Sequence, residues 1–524
     1  MNNQVSALLL DTISIQRYIF STNNLKENIG ASQIVKEIYD SHLKEVIEEL
    51  FSISDDSYYN EWEEKPEKIA ILEHSSPFEI GYIGGGNALI FFKNEDMAKK
   101  FIKKWSMRLL IYCAGLIPAC AVGKIDFSDF SNSLKRLFNQ LAQNKSSFLP
   151  ETVIRRHGIT AECPNTGYSA EIWCEKLPDD KQNYISSVSN AKIDASEKAD
   201  KWLQEILKKY GLDDEYTFTN QIDKLGQSKG KDSHIAIVHI DGNDVGTMIK
   251  KQKNLKNLRE FSKELKKATL ESFIEILLKI DKHKKDIEKE GIKLETKEGK
   301  TILPIRPIII GGDDITFVSE GRLGIWLAKI FLEAFQEKTS SLGNLSACAG
   351  VAITKTKYPF YRGYKLSEDL TRSAKDARKL SNDNGSWIDF HIAYGGFSGE
   401  LKEIRENHYK TQETTSLILR PYKITDLDEL IKGVAELKKK KDGKDSYPRS
   451  KIMKLRQVLY LGENEQRLFI EELKVRGLKL PVYKDFKGND IILNNKTPYF
   501  DMIELMEFYP EFALNGGKYE DIQN

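Results

Sequence analysis

The chain has few of the residues that would tie it to an oxidising compartment or to a membrane. Its 524 residues include only 5 cysteines, an odd and widely spaced set. That usage is typical of a reduced cytoplasmic protein and not of a disulfide framework. The first residues carry no basic signal-peptide segment, and no run approaches the roughly 20 apolar residues that cross a bilayer. The sequence therefore predicts a cytoplasmic protein without membrane contact.

The chain also has almost no net charge. Its 79 Lys and Arg residues face 78 Asp and Glu residues, which leaves a formal net charge of +1. Global electrostatic attraction to nucleic acid is therefore excluded, and any such binding needs a local patch. The length predicts about three or four domains, and the 40% hydrophobic share is enough for their cores.

The most informative motif is Gly-Gly-Asp-Asp at residues 311–314, between the apolar runs 308–310 and 315–318. This pattern predicts a β-hairpin with Asp313 and Asp314 at its tip, because glycine takes turn conformations without steric cost. Adjacent carboxylates repel each other as bare anions. A divalent cation relieves the repulsion, and oxygen ligands favour Mg²⁺ or Mn²⁺. Taken alone, the motif fits an ordinary Asp-rich turn equally well.

A second acidic cluster favours the metal-site interpretation. Residues 235–240 predict a buried strand, which ends in Asp-Gly-Asn-Asp at residues 241–244. If this strand lies beside the hairpin, Asp241 meets Asp313 and Asp314 at one end of the sheet. Two-metal sites for phosphate chemistry are built in this way. The sequence therefore predicts a palm-type site for nucleotide phosphates.

The first third of the chain repeats the pattern of the middle. An aspartate again follows an apolar run, and a glycine-tipped hairpin again comes later. The separation from Asp11 to Gly86 is 75 positions, close to the 72 between Asp241 and Asp313. Matching strands then begin 34 and 35 positions further on, at Cys120 and Cys348. Three landmarks at matched spacing predict two copies of one fold.

The copies differ at the hairpin tip. Gly86 and Asn87 stand in the first copy where Asp313 and Asp314 stand in the second. The first tip has therefore lost its anionic ligands. We expect the second copy to hold the metals and the first to be a structural or nucleotide-contacting partner.

Hydrophobic periodicity supports an α+β fold class. Each copy predicts the order strand, helices, hairpin, helix, strand and helix, with helices on one face of a mostly antiparallel sheet. The full prediction is two ferredoxin-like palm domains with a helical linker and a helical C-terminal domain. Their predicted bounds are 1–150 for the first palm, 151–231 for the loop-rich linker, 232–396 for the second palm and 397–524 for the helical tail.

The linker has a weak metal-binding signal. Cys163 and Cys174 are eleven positions apart, with His157 nearby. Structural zinc sites normally use four nitrogen or sulfur ligands with paired spacing. Zinc is therefore not expected here.

The two unequal palms resemble the large polymerase/cyclase subunit of type III CRISPR effector complexes, a family that makes cyclic oligoadenylates from ATP. The resemblance covers most of residues 5–395 and rests on segments 15–20, 241–246, 311–314 and 349–375. Members often begin with an HD nuclease domain, whereas this chain contains no His-Asp dipeptide. We therefore expect an HD-less or stand-alone relative.

The resemblance implies a role for each site residue. Asp241, Asp313 and Asp314 would be catalytic, and with the Gly242 carbonyl they would hold two Mg²⁺ or Mn²⁺ ions. The implied nucleotide-binding residues are Gly242, Asp244, Gly246, Gly311, Gly312 and Lys375. Lys375 would meet the triphosphate as a point charge, and the backbone amides of 242–246 would surround phosphate oxygens. In the first copy the corresponding stretch is Ala142-Gln143, which predicts that the cation is missing there.

The leading hypothesis is a cyclic oligonucleotide synthase that uses ATP and signals in antiviral defence. Two alternatives remain open: a nucleotide-binding subunit of an RNA-guided complex with little turnover, and a GTP-using cyclase of the GGDEF type. The latter is disfavoured because GGDEF tips carry a further acidic residue and then Phe, whereas Ile315 follows Asp314 here. Candidate partners are nucleoside triphosphates, RNA, RAMP-type CRISPR subunits and a second copy of the chain.

Overall fold

The computed structural model describes ten stretches of the chain, residues 4–53, 57–73, 76–147, 158–176, 182–226, 233–395, 399–411, 415–441, 444–445 and 447–514. His157 lies outside them. No helix within these stretches is long and apolar enough to span a membrane.

The first palm is a four-stranded antiparallel sheet with order β2-β3-β1-β4, covered by helices. A π-helical turn at Ile38–His42 joins α2 to α3. Its elements are β1 (Gln4–Thr12), α1 (Ile15–Ile19), α2 (Leu25–Glu37), α3 (Leu43–Phe51), α4 (Ser57–Glu64), β2 (Phe78–Gly84), β3 (Asn87–Phe92), α5 (Glu95–Tyr112), β4 (Pro118–Asp126) and α6 (Phe130–Ser146).

The linker joins the palms through one long helix that packs against α2. Its elements are β5 (Ile172–Cys174), β6 (Asn183–Ile185), α7 (Ser187–Lys209) and β7 (Tyr216–Thr217). Cys163 and Cys174 are both buried in a small apolar cluster with Ile185 and Ile193.

The second palm is a six-stranded sheet with order β11-β12-β8-β13-β14-β15. Its elements are β8 (His234–Gly242), α8 (Val245–Lys250), α9 (Leu255–Lys282), α10 (Lys284–Lys289), β9 (Thr296–Lys297), β10 (Lys300–Ile302), β11 (Ile305–Gly311), β12 (Asp314–Glu320), α11 (Gly324–Lys338), β13 (Ala347–Lys355), α12 (Phe360–Leu380) and β14 (Trp387–Ile392).

The C-terminal region is mainly helical and contributes one short strand, β15, to the edge of the second palm sheet. The domain boundary at 396 stays a prediction, since this strand comes from beyond it. The elements are α13 (Leu401–His408), β15 (Tyr422–Lys423), α14 (Ile424–Lys438), β16 (Lys440–Lys441), β17 (Lys444–Asp445), α15 (Arg449–Val458), α16 (Glu463–Val475) and α17 (Tyr499–Phe508).

The two palms repeat one another in topology and in detail. Across each sheet, the two hairpin strands lie beside the aspartate-bearing strand, and one more antiparallel strand lies on its other side. The register pairs Asp11 with Asn87 and Asp241 with Asp314. Both hairpins also carry a β-bulge at the same position, Gly81 in β2 and Ile308 in β11. The α+β fold with two palms is confirmed.

One landmark of the predicted repeat is shifted by a residue. Asp241 pairs with Cys348, whereas Asp11 pairs with Ala119 and not with Cys120. Cys120 and Cys348 are therefore not equivalent positions. Matching the two cysteines by residue type concealed the shift, since Ala119 follows Gly86 by 33 positions and Cys348 follows Asp313 by 35.

Close helix–sheet packing places α12 over the end of the second sheet. At Gly350 in β13, an added Cβ would lie 2.0 Å from the Ser367 carbonyl oxygen and 2.5 Å from the Thr371 nitrogen. Only glycine allows the helix to approach the strand this closely. The face of α12 that carries Lys375 is thereby held over Asp241.

Candidate active site

Three carboxylates meet at one end of the second palm sheet. Asp241 lies near the end of the central strand β8 and pairs across the sheet with Asp314, the first residue of β12. Asp313 occupies the turn before it, and its carbonyl accepts a hydrogen bond from the Gly242 amide at 3.1 Å. The structure thus brings together the residues that the sequence predicted to be catalytic.

Their electrostatics are those of a site with too little positive charge for three carboxylates. Burial and the nearby negative charge of Asp241 raise the pKa of Asp313 from 3.8 to about 7. Burial, with the charges of Asp241 and Asp313, raises the pKa of Asp314 well above its ordinary value. Asp314 Oδ1 is buried and accepts no hydrogen bond from the described residues. Such carboxylates are stabilised as anions only by a cation or further donors.

Lys375 on α12 supplies the one cation that contacts Asp241 within the described residues. Its ammonium group donates to Asp241 Oδ2 at 2.5 Å and to the Gly242 carbonyl at 3.0 Å. Both oxygens belong to the predicted metal-ligand set. The ammonium group therefore stands where a metal cation would compete for the same oxygens.

His239 lies beneath the carboxylates, two residues before Asp241 on the same face of β8. Its Nδ1 lies 3.0 Å from Thr316 Oγ1 and 3.3 Å from Asp314 Oδ1. Burial lowers the pKa of His239 to about 4, so the ring is neutral at pH 7. The neutral ring lies next to the Asp314 carboxylate but brings no positive charge to it.

Two of the backbone amides predicted to contact phosphate, at the end of β8, form hydrogen bonds within the protein instead. The amides of Gly242 and Asn243 donate to the carbonyls of Asp313 and Ser346, at 3.1 and 2.9 Å. These two amides are committed within the protein. The predicted backbone contacts with phosphate therefore narrow to residues 244–246, where Gly246 is exposed.

Asp244 is engaged by an arginine that the sequence analysis missed. Arg378 Nη2 donates to Asp244 Oδ2 at 2.6 Å, and Arg378 Nη1 donates to the Asp383 carbonyl at 3.3 Å. Arg378 lies three residues after Lys375, on the same face of α12. This spacing from Lys375 is the sequence signal by which Arg378 could have been predicted. Two α12 cations thus hold the segment that connects β8 to α8.

The hairpin tips of the two palms touch. Gly312 has φ +59°, and a Cβ on it would lie 2.9 Å from Gly85 Cα and 3.3 Å from Gly85 N. On the other side, Thr269 Oγ1 of α9 donates to the Gly312 carbonyl at 2.6 Å. The GGDD tip is therefore fixed between α9 and the first palm.

We expect Gly312→Ala to lower the free energy of unfolding by about 1–3 kcal/mol, from left-handed strain and the clash with Gly85. Gly311→Ala is the matched control, since nothing lies within 4 Å of its Cβ position. It should change stability by about 0.5 kcal/mol or less. Urea denaturation measures both, and equal losses would contradict the close approach of the tips.

The first palm keeps more of the site than the sequence analysis recognised. Lys145 of α6 donates to Asp11 Oδ2 at 2.6 Å. It lies 134 residues after Asp11, the same separation as Lys375 from Asp241. The prediction that the first copy lacks this cation, based on Ala142-Gln143, is wrong. The first palm has lost the tip carboxylates but retains the aspartate–lysine pair.

A divalent metal fits the donor chemistry of the second palm only after rearrangement. Among the described residues, no three His, Cys, Asp or Glu side chains form a ready metal-binding group. The oxygen donors, the uncompensated Asp314 and the cation already held by Asp241 all suit a hard cation. Lys375 must leave Asp241 to admit it.

Comparison with known proteins places this site in a family. Residues 234–382 match the family model described as Cas10/Cmr2, second palm domain. They run from the first residue of β8 to just beyond α12. The second palm is therefore similar to the second palm domain of Cas10/Cmr2 proteins. The prediction of a Cas10-like palm-domain chain is thereby confirmed, and no curated protein matches the sequence.

Solved structures of Cas10-type proteins share the fold across nearly the whole chain. A chain of the Csm1–Csm4 cassette in complex with one ATP matches with a TM-score of 0.55 and 14% identity, covering 97% of this chain and 70% of that one. A chain of the cassette with cA4 gives 0.53 and 13%, covering 96% and 70%. Csm1 from T. onnurineus gives 0.52 and 15%, covering 98% and 68%. At these identities the likeness is one of fold.

Proposed function

We propose that this Cas10-like chain is a metal-dependent nucleotidyltransferase that condenses ATP into a cyclic oligoadenylate, a signal in antiviral defence. The observation that carries the proposal is the convergence of Asp241, Asp313 and Asp314, two of them with raised pKa values. The family match of the second palm supports it. So do the nucleotides named with the similar structures, which include ATP and cA4.

The residues divide the chemistry among them. Asp241, Asp313 and the Gly242 carbonyl would hold two Mg²⁺ or Mn²⁺ ions, and Asp314 would complete the site or orient a bound water. The ions, when bound, neutralise the triphosphate and lower the pKa of the attacking hydroxyl. A 3′- or 2′-hydroxyl then attacks an α-phosphate in line, and pyrophosphate leaves.

In this proposal the Lys375 side chain has two locations, one without bound nucleotide and one with it. Without nucleotide it neutralises Asp241, as in the structure. With metal and ATP present it turns to the triphosphate, where an ammonium group offsets developing charge. Asp244 and Gly246 would contact the nucleotide near α8, with Gly311 and Gly312 forming the tip beside it.

The first palm would supply the surface for a second nucleotide. Its tip touches the GGDD tip and carries no carboxylate that would repel phosphate. Asp11 and Lys145 persist there as a pair. This arrangement favours a non-catalytic nucleotide contact in the first palm. RAMP-type subunits such as the Csm4 named with the similar structures are the proposed protein partners, and RNA and a second copy are further candidates.

Turnover is tested with ATP, GTP and mixed nucleotides, each with Mg²⁺ or Mn²⁺ and with or without a candidate activating RNA. We expect ATP-dependent products whose masses are multiples of AMP minus water, resolved by mass spectrometry. Cyclic products from GTP alone would support the GGDEF-type alternative. No consumption of any nucleotide in any condition would sink the proposal and leave a binding subunit.

A further inference from the structure

Helix α9 of the second palm reaches into the first palm through a buried arginine. Arg259 is 1% exposed. All three of its guanidinium nitrogens donate to the first palm. The bonds run from Nε to Gly81 O (3.0 Å), from Nη1 to Lys68 O (2.6 Å) and Pro66 O (3.3 Å), and from Nη2 to Ile80 O (2.7 Å) and Glu79 Oε1 (2.7 Å).

Three of these acceptors belong to Glu79, Ile80 and Gly81 of the hairpin strand β2, and the other two are carbonyls of the segment between α4 and β2. Gly81 is the bulged residue of β2, and a bulge leaves its backbone groups unpaired in the ladder. Arg259 thus uses the bulge carbonyl and its neighbours as a fixed binding position. The planar guanidinium can satisfy these acceptors together, whereas an ammonium group cannot.

The same helix holds the other hairpin. Thr269, ten residues after Arg259, donates to the Gly312 carbonyl at 2.6 Å and is 1% exposed. Ten residues of α-helix span about 15 Å. One rigid element therefore contacts the β2 strand of the first hairpin and the tip of the second. The tips of the two hairpins meet at Gly85 and Gly312.

We propose that α9 aligns the two palms for catalysis and that Arg259 and Thr269 are its positioning residues. This inference rests on the proposed function, because joining two nucleotides requires the metal site and the first-palm surface to keep a fixed separation. A misplacement of about 1 Å can lower a rate by about 10²-fold. Arg259 contacts no catalytic carboxylate and acts only through the position of the first hairpin.

Arg259→Lys tests the alignment, with Arg420→Lys as the matched control. The Arg420 side chain is also buried, at 0% exposed, but it donates to the Phe390 carbonyl of β14 and to Glu504 of α17 and contacts neither hairpin. We expect Arg259→Lys to lower kcat for ATP condensation about tenfold or more, with KM and Mn²⁺ binding unchanged. Arg420→Lys should keep kcat even if its Tm falls as far. Equal kcat in the wild type and Arg259→Lys, or equal losses in both variants, overturns the inference.

Thr269 provides a second and milder variant. Thr269→Val removes the hydroxyl at nearly constant volume, and Thr269→Ser restores the donor. We expect Thr269→Val to lower kcat and Thr269→Ser to recover most of it. Similar kcat values for the two variants would overturn the role of the hydrogen bond to Gly312.

Hydrogen exchange separates this inference from the proposed function. Arg259→Lys should speed amide exchange in residues 305–320 of the GGDD hairpin, although Arg259 itself donates only to the first palm. If the wild type makes no product but this exchange changes, the proposed function fails and the alignment stands. If exchange there is unchanged, the alignment fails whatever the turnover.

Discussion

Replacing both tip carboxylates, Asp313→Asn with Asp314→Asn, is expected to lower nucleotide condensation by at least about 10³-fold, equivalent to about 4 kcal/mol of transition-state stabilisation. The amides keep the size of the side chains but cannot bind divalent cations as anions do. Asp241 alone would then face the metals while paired with Lys375. Product formation by mass spectrometry and Mn²⁺ binding both measure the effect.

The same variant should be more stable than the wild type at pH 8 when no metal is present. The folded pKa of Asp313 is raised from 3.8 to about 7, so the folded state binds its proton more tightly than the unfolded state does. Stability of the metal-free wild type therefore falls as the pH rises from 3.8 through about 7, and the variant lacks this loss. Thermal unfolding at pH 5 and pH 8 tests this. An inactive variant that is also less stable at pH 8 would indicate a folding defect and contradict the account of the site.

The repeat was predictable because it leaves two independent traces in the sequence. Apolar strands ending in Asp11 and Asp241 mark the central strands, and glycine-rich tips mark the hairpins. Both signals are local, so spacing alone sufficed to predict two palms and the convergence of three carboxylates. The order of strands in each sheet then follows from joining a hairpin to a central strand.

The remaining contacts could not be predicted from local patterns. Arg259 and Gly81 are 178 positions apart in the sequence. Thr269 binds a backbone carbonyl, and every residue type has one, so the sequence does not identify its partner. Lys145 was missed for a different reason. Its match to Lys375 can be read from the sequence, because Lys145 follows Asp11 by the same 134 positions that separate Lys375 from Asp241. Matching by the Ala-Lys dipeptide of α12 selected the wrong turn of α6.

Lys375→Met is expected to change two measured quantities in opposite directions. Without nucleotide, the affinity for Mn²⁺ should rise about tenfold or more, because a positive charge at 2.5 Å from Asp241 Oδ2 is removed from the metal's ligand. With ATP, turnover should fall about 10²–10³-fold, the usual effect of losing one donor that stabilises transition-state charge. Calorimetric titration with Mn²⁺ and steady-state kinetics measure the two effects.

Lys145→Met is the matched control, because the duplication provides the same pair without tip carboxylates. It removes an equal charge from Asp11, so Mn²⁺ affinity should not change. Its turnover should fall less than that of Lys375→Met, since Lys145 is paired with Asp11, opposite Asn87, and not with a carboxylate of the metal site. A rise in Mn²⁺ affinity in both variants would show that the effect of Lys375 is not local. If Lys375→Met binds Mn²⁺ more tightly but retains full turnover, Lys375 acts only at the metal site and has no role in binding the triphosphate.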